Sequence, residues 1–574
     1  MKRTTSGLSG ARLVVLQVAT VVITFIVIGR LFDLSIIRHA NALITAKNQY
    51  GITQTLPATR GIIGLRDLNG GKDYPVAMNV ISYQVVADPF LIKDPLKVAA
   101  VLEPVIGISV SDLLPKLSDK KKRFVILKKK LVKEDSKKVD DLNLRGISLQ
   151  PVESRLYPEL TLAAHTIGFV DASGVGRYGI ESFFNEDLTG YDGELVGEKD
   201  AKRRIISEGK SAKPRDGTVI TLTIDRSLQF IVENQLRESL KKYEAEGGSV
   251  VIMDVKTGAI LALANEPGYD LNTFNEVPAD QQERFINQAV SGTWEPGSIF
   301  KTFTLAAAID LGLIQPDTKA DLGCSAKVDG FEIRNSQDKC YPTPDVTQIL
   351  SDSINLGTIW AADKIGNQDF GKYISDFGFG SKTGIELQPE STGKVSDSNK
   401  WKNVNRATIS FGQGLSASPL QIVAAYASIG NGGKLMHPYL VAKRVDSNGK
   451  VVETKPREVR QVIKPETAAM MTTMLEKVVT EGHGKRAAVR GYRIGGKTGT
   501  AQVVGKDGTY EEDAHIGSFA GIFPANEPRF AMIVKLDRPK AVEFAESSAA
   551  PTFSEIAKWL LHYAKVPPTE VVSP

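Results

Sequence analysis

Ser298 and Lys301 have the types and spacing best suited to covalent chemistry in this chain. They lie in Glu295-Pro296-Gly297-Ser298-Ile299-Phe300-Lys301, and Thr302 to Ile309 follows with the composition of a helix. Residues i and i+3 share a helix face, so the serine hydroxyl and the lysine amine can meet. A helix N-terminus favours developing negative charge. The chemistry expected is a serine nucleophile activated by an adjacent base. Spacing alone is weak support. Ser-x-x-Lys occurs at least seven times, starting at Ser118, Ser207, Ser239, Ser298, Ser336, Ser391 and Ser447.

Two other stretches supply complementary groups. Ser353-Ile354-Asn355 is the chain's one Ser-x-Asn. Its hydroxyl could relay a proton and its amide could fix a lysine, although an ordinary polar turn would read the same. Lys497-Thr498-Gly499-Thr500 offers a cation and hydroxyls to hold a carboxylate, with Gly499 permitting close approach to the backbone. Lys-Thr-Gly recurs at Lys256, in a tight hairpin turn, and at Lys382, in a loop. Only Lys497 has Gly495-Gly496 before it, Thr500-Ala501 after it and a strand context.

The elements that must position these groups follow from the hydrophobic pattern. Thr218–Ile224 reads as a strand, Ser227 to about Glu244 as an amphipathic helix, and Ser249–Leu263 as a hairpin. Residues 280–480 read as helices and loops, Tyr492–Val504, Ile516–Phe523 and Arg529–Lys535 as strands, and Thr552–Ala564 as a final helix. Strands, then helices, then strands and a helix indicate an α+β fold with an antiparallel sheet. Earlier, Ser82–Ala87 alternates like a strand, while the strongly basic residues 116–138 read as a solvated helical surface.

With 574 residues, two or three domains are expected. A net charge of +5 gives no reason to invoke nucleic acid, and no nucleotide loop, zinc-ligand cluster or dinucleotide fingerprint is present. Leu13–Gly29 carries no charge and lies between Arg12 and Arg30, with Lys2 and Arg3 further upstream. This reads as an uncleaved membrane anchor, since Ala40-Asn41-Ala42 lies too far downstream for a signal cleavage site. Positive charge before the anchor keeps the N-terminus in the cytoplasm and puts the rest outside. Residues 30–50 continue the anchor as a helix. Cys324 and Cys340 could be free thiols or a disulfide, the latter worth about 3 kcal/mol in the chain-entropy model.

The trio at Ser298, Ser353 and Lys497 resembles that of the penicillin-binding proteins. Leu222-Thr223-Ile224-Asp225, Thr383-Gly384-Ile385-Glu386-Leu387, Phe411-Gly412-Gln413-Gly414 and Asn431-Gly432-Gly433 also look like that family. Arg60-Gly61, Arg155-Leu156-Tyr157-Pro158, Ala164-His165-Thr166-Ile167-Gly168 and Gly179-Ile180-Glu181 resemble the pedestal of its class B members. The space before Arg60 leaves no room for a glycosyltransferase domain, and no repeat domain is expected after residue 565. Ser-x-Asn with Lys-Thr-Gly looks more like the cell-division type than the elongation type. Leu65, Thr302 and His483 depart from the family pattern.

The resemblance implies a penicillin-binding/β-lactamase-like transpeptidase domain on an elongated mixed pedestal, with one N-terminal transmembrane helix. The expected boundaries are a tail at 1–12, the anchor at 13–30, a dimerisation-type pedestal at 31–220, the transpeptidase domain at 221–565 and a tail at 566–574. It implies a serine D,D-transpeptidase that cross-links peptidoglycan stem peptides and is acylated by β-lactams. Ser298 would be the nucleophile, and Lys301 its base. Ser353 would relay the proton and Asn355 position Lys301. Lys497, Thr498 and Thr500 would hold the terminal carboxylate, and Gly499 would let the substrate approach the backbone. No cofactor or metal is implied. Expected partners are the stem peptides and their lipid-linked precursor, a membrane glycosyltransferase and other division proteins. An elongation-type enzyme, or an assembly protein with little catalysis, are the alternatives.

Overall fold

The computed structural model describes residues 7–199, 205–208, 211–505 and 509–569. Lys2 and Arg3, and the end of the expected C-terminal tail, lie outside the described residues. The chain forms two compact units. One comprises the N-terminal residues to Thr59 together with Gly190–Asp216. Its helix Gly7–Phe32 passes through a π-turn, Asp33–Ile37, into a second helix, His39–Tyr50. Among the described residues, one helical stretch, Gly10–Ile37, is long and apolar enough to cross a membrane. The unit also holds an antiparallel sheet of Gly51–Leu56, Gly193–Lys199 and Ile205–Glu208.

The other unit contains the rest of the chain, including every candidate site residue. Its central five-stranded sheet is antiparallel throughout. The strand order is Ile260–Glu266, Gly247–Asp254, Phe530–Asp537, Tyr510–Phe523 and Gly495–Val504. The strand carrying Lys497 is therefore an edge of the sheet. Helix Ala549–Tyr563 packs through Phe553 onto Phe519 and Phe523, with ring centroids 4.7 and 5.4 Å apart. Helix Pro419–Gly430 also packs on this sheet and is buried along its whole length. All ten residues of Lys301–Asp310 are buried too. A helix with no polar face is a core helix, which accounts for the run Ala306-Ala307-Ala308.

A second sheet runs through Val219–Asp225, whose residues are buried from Ile220 onwards. This strand pairs in parallel with Ile63–Arg66 and antiparallel with Val441–Val445. This mixed sheet stands beside the expected antiparallel one. Asp225 then caps helix Arg226–Tyr243 by accepting from the Leu228 N–H at 2.7 Å.

In the preceding region, Tyr74–Ala87 pairs with both Val125–Leu131 and Ile147–Leu156. The basic stretch thus differs from its expected helical surface. Its middle is a strand, because Val125, Ile126, Leu127 and Leu131 favour a half-buried sheet position. Lys128 donates to the Ile106 carbonyl at the end of helix Pro95–Ile106, where a cation complements the helix dipole. Lys120 donates to the carbonyls of Pro89 and Ile92.

Three motifs far apart in sequence meet on one carboxylate here. Glu181 is fully buried and accepts from Arg60 Nε at 2.8 Å, Arg155 Nε at 2.7 Å and the Tyr157 hydroxyl at 3.3 Å. Removing one member of such a group leaves buried charge uncompensated. Glu181→Ala should therefore lower stability by about 3–5 kcal/mol, read as a lower urea midpoint of the purified protein. An unchanged midpoint would mean that solvent compensates the two guanidinium groups.

Candidate active site

The nucleophile turn starts at Gly297, whose φ of +58° suits glycine and whose N–H donates to the Gly412 carbonyl at 3.0 Å. Gly297–Phe300 is one turn of 3-10 helix, and the α-helix begins at Lys301. Ser298 thus precedes the α-helix instead of lying on it. The i,i+3 relation survives, because side chains three apart eclipse in a 3-10 turn. Ser298 is half-buried and opens to a cleft of about 390 Å³, while Lys301 lies fully buried beneath. One residue on, Thr302 shares a hydrogen bond of 2.9 Å with the Tyr426 hydroxyl in the core.

Lys301 Nζ donates to the Ser353 carbonyl at 2.5 Å and to Asn355 Oδ1 at 2.7 Å, and lies 3.2 Å from Ser353 Oγ. A neutral amine has two donors, which the carbonyl and the amide oxygen satisfy. The hydroxyl then faces the nitrogen and suits either direction of proton exchange. Ser353 has φ +58°, a left-handed conformation that is strained for a residue with a side chain. Its carbonyl contact with Lys301 helps to hold that conformation.

The Ser-x-Asn segment is fixed from its other side as well. Asn355 Nδ2 donates to the Arg334 carbonyl at 3.1 Å, and the Leu356 N–H donates to Asn335 Oδ1 at 3.1 Å. Both acceptors lie in a segment closed by a Cys324–Cys340 disulfide, which resolves the alternatives left open for these cysteines. Within it, Ser325–Val328 and Phe331–Arg334 form a hairpin, and Asn335 and Gln337 line the cleft. The cysteine pair was the only sequence signal for this wall.

The opposite wall is the edge strand. Thr498 and Thr500 line the cleft. Strand alternation starts Lys497 and Gly499 on the opposite face, but the long Lys497 side chain brings its amine back to the Thr498 hydroxyl. Gly499 is absent from the cleft lining. A Cβ there would stand 2.9 Å from the Pro296 carbonyl oxygen and 2.8 Å from Ser518 Oγ. Its smallness brings the strand against the nucleophile turn. Lys497 is fully buried, and its Nζ donates to Thr498 O at 3.1 Å and Thr498 Oγ1 at 3.2 Å.

Electrostatics separates the two lysines. Burial, and then the Lys497 charge, holds the Lys301 amine well below the ordinary lysine range. Burial draws Lys497 down to about 7, while Glu546 and Asp352 pull it upward. Glu546 and His483 also line the cleft. His483 stood out in the sequence, but Glu546 belongs to no motif. Glu295 was missed as well. It accepts from the Gly414 N–H at 2.8 Å and the Tyr510 hydroxyl at 2.9 Å, bracing the loop beside the nucleophile turn.

A serine above a buried, deprotonation-prone lysine, facing a hydroxyl-lined strand edge, defines a serine acyltransferase that works through an acyl-enzyme. Comparison with known proteins narrows this class. The penicillin binding protein transpeptidase domain matches residues 248–558, and the penicillin-binding protein dimerisation domain matches residues 55–222. Stage V sporulation protein D of Bacillus subtilis is 34% identical over 547 residues, covering 94% of this chain and 83% of that protein. Peptidoglycan D,D-transpeptidase FtsI of Escherichia coli is 31% identical over 523 residues, covering 90% and 85% respectively. The crystal structure of penicillin binding protein 3 from Mycobacterium tuberculosis complexed with aztreonam aligns with a TM-score of 0.70 at 27% identity, covering 90% of this chain and 98% of that one. The chain belongs to the class B penicillin-binding proteins.

Proposed function

We propose that this chain is a membrane-anchored serine D,D-transpeptidase that cross-links peptidoglycan stem peptides during septal wall synthesis. The observation that carries the reading is Lys301, buried against Ser353 and Asn355 beneath the cleft that Ser298 shares with Thr498 and Thr500. Ser298 Oγ attacks the carbonyl carbon of the penultimate D-alanine while neutral Lys301 takes its proton. Backbone N–H groups of Ser298 and Thr500 receive the oxyanion. The C–N bond then breaks, and the leaving D-alanine takes a proton through Ser353. Lys497 holds the terminal carboxylate with the two threonine hydroxyls. An amine from a second stem peptide attacks the ester and loses its proton to Lys301, which returns a proton to Ser298 Oγ as the ester C–O bond breaks and the cross-link forms.

A β-lactam presents a carboxylate and a strained amide to the same groups and stops at the acyl-enzyme. D,D-carboxypeptidase and β-lactamase readings differ only in using water as acceptor. The test is to supply the enzyme with a D-Ala-D-Ala stem peptide and an acceptor amine. Cross-linked dimer is expected, and trimmed monomer alone would contradict transpeptidation. The anchor, with its N-terminus in the cytoplasm, puts the catalytic unit outside the cytoplasmic membrane, beside a membrane glycosyltransferase and other division proteins. A fluorescent fusion should concentrate at the septum, whereas side-wall fluorescence would favour the elongation-type reading.

The two lysines predict a pH dependence. Acylation needs Lys301 neutral and Lys497 charged, so the rate rises as the first loses its proton and falls as the second does. The second-order rate constant for benzylpenicillin reports the free enzyme. It should therefore decline above a limb near 7, where Lys497 titrates. A rate that climbs steadily to pH 10 would contradict a role for charged Lys497.

A further inference from the structure

Lys497 is a buried cation without an ion pair: among the described residues, no carboxylate comes within salt-bridge distance of its Nζ. Its hydrogen-bond acceptors are both on Thr498, neither of them charged. Burial without a counter-charge favours the neutral amine. A carboxylate-holding wall needs the opposite form, so the negative charge must come from nearby groups.

The structure places such a group at one end of the cleft. Glu546 lies in the short turn Ala545–Ser547, and the preceding Ala545 N–H donates to Thr500 Oγ1 at 3.1 Å. This ties the turn to the strand of Lys497. Glu546 Oε2 is 3.2 Å from His483 Nδ1. The His483 backbone N–H donates to the Ser351 carbonyl at 3.2 Å, two residues before Ser353. Gly482 beside it approaches so closely that a Cβ would stand 2.4 Å from Ser351 O. The His483–Glu546 contact therefore joins the Ser-x-Asn wall to the strand wall. Both side chains remain about two-fifths exposed at the cleft, with accessibilities of 41% and 40%.

We propose that Glu546, braced by His483, is the counter-charge of Lys497 and a positioning residue for the carboxylate-holding wall. The proposal rests on the reading that Lys497 holds the substrate carboxylate. The titratable groups around Lys497 are Lys301 from the nucleophile helix, Asp352 from the Ser-x-Asn turn, Glu546 and, through Glu546, His483. Lys301, drawn down by burial and by the Lys497 charge, carries no negative charge in either form and cannot be the counter-charge. Of the two carboxylates, Asp352 already accepts from Gln348 and Ser351, whereas Glu546 stands on the turn hydrogen-bonded to the strand of Lys497. Glu546 has two opposed effects on an anionic substrate. It keeps Lys497 protonated, which helps binding, and it repels the substrate carboxylate directly. The first effect matters only where Lys497 would otherwise lose its proton. The second acts at every pH. The net effect of removing Glu546 must therefore change sign with pH.

The experiment measures acylation rate constants of the full chain in detergent from about pH 5.5 to about pH 8.5. It compares benzylpenicillin with its methyl ester on the parent, Glu546→Gln, Glu546→Asp and His483→Gln. With benzylpenicillin, Glu546→Gln should fall about tenfold below the parent at the alkaline end, where Lys497 loses its proton earlier than in the parent. At the acid end it should equal or exceed the parent. Glu546→Asp should recover part of the alkaline loss, and His483→Gln should shift in the same direction by less. The methyl ester lacks the carboxylate, so its variant-to-parent ratio should stay flat. A flat ratio for benzylpenicillin as well, in a parent that prefers the acid to the ester, would overturn the counter-charge role alone. A parent with no preference for the acid would overturn the Lys497 reading and this inference together.

Discussion

Ser298→Ala should abolish covalent labelling by a fluorescent penicillin and the formation of cross-linked product. The loss should approach the ~10⁶-fold drop seen when a serine hydrolase loses its nucleophile. The argument is geometric. Ser298 stands where the 3-10 turn opens into the cleft, above Lys301 and beside the strand of Thr498 and Thr500. Ser353 also lines the cleft, but its hydroxyl faces Lys301 Nζ at 3.2 Å from a strained backbone. Its place suits a relay, and it should not take over as nucleophile. The variant should fold, since Ser298 is only half-buried and the turn is held by backbone contacts at Gly297. Labelling of Ser298→Ala at the parental level would reject the assignment.

The second large effect belongs to Lys301. Lys301→Met keeps the length and much of the volume of the side chain but removes the amine. Acylation by benzylpenicillin should slow by about 10²–10⁴-fold, the range for losing a general base. The acid limb of the pH profile should disappear with it, because that limb is the titration of Lys301. Thermal stability should change far less than the rate. The cost of losing three contacts at Ser353 and Asn355 is offset by no longer burying an amine. Stopped-flow acylation and a thermal melt on the same sample separate the two. Near-parental acylation with an intact acid limb would mean that another group takes the Ser298 proton.

Some of this site was legible in the sequence because local rules govern it. The i,i+3 spacing at Ser298 holds in either helical form, so an error about helix type left the Ser298–Lys301 relation intact. The third Lys-Thr-Gly stood out from its two copies by strand context, and Lys497 indeed lies within strand Gly495–Val504. Long-range contacts were out of reach. Glu546 joins His483 across 63 residues, and no periodicity carries such a pairing. A further role of Gly499 was out of reach for a related reason. Its closeness to Pro296 is a tertiary contact, invisible beside the equally plausible reading of substrate approach. Lys120–Lys130 shows the reverse failure. Charge density suggested a solvated helix, while the interleaved valine, isoleucine and leucine made a strand, and the amines of two lysines reached nearby carbonyls.

The pedestal shows how separated motifs gain a physical meaning. Arg60, Arg155 and Glu181 looked like independent family signatures, yet they form one buried charge cluster. Leu65, one of the departures from the family pattern, is fully buried within the same unit. It occupies a core position where an unpaired carboxylate would be costly.

The central claim, an acyl-enzyme on Ser298, is tested most directly by mass spectrometry of the intact chain after reaction with benzylpenicillin, followed by peptide mapping. The predicted result is a single adduct of the whole β-lactam mass on the peptide that contains Ser298. An adduct on any other serine, or none at saturating β-lactam, would contradict it.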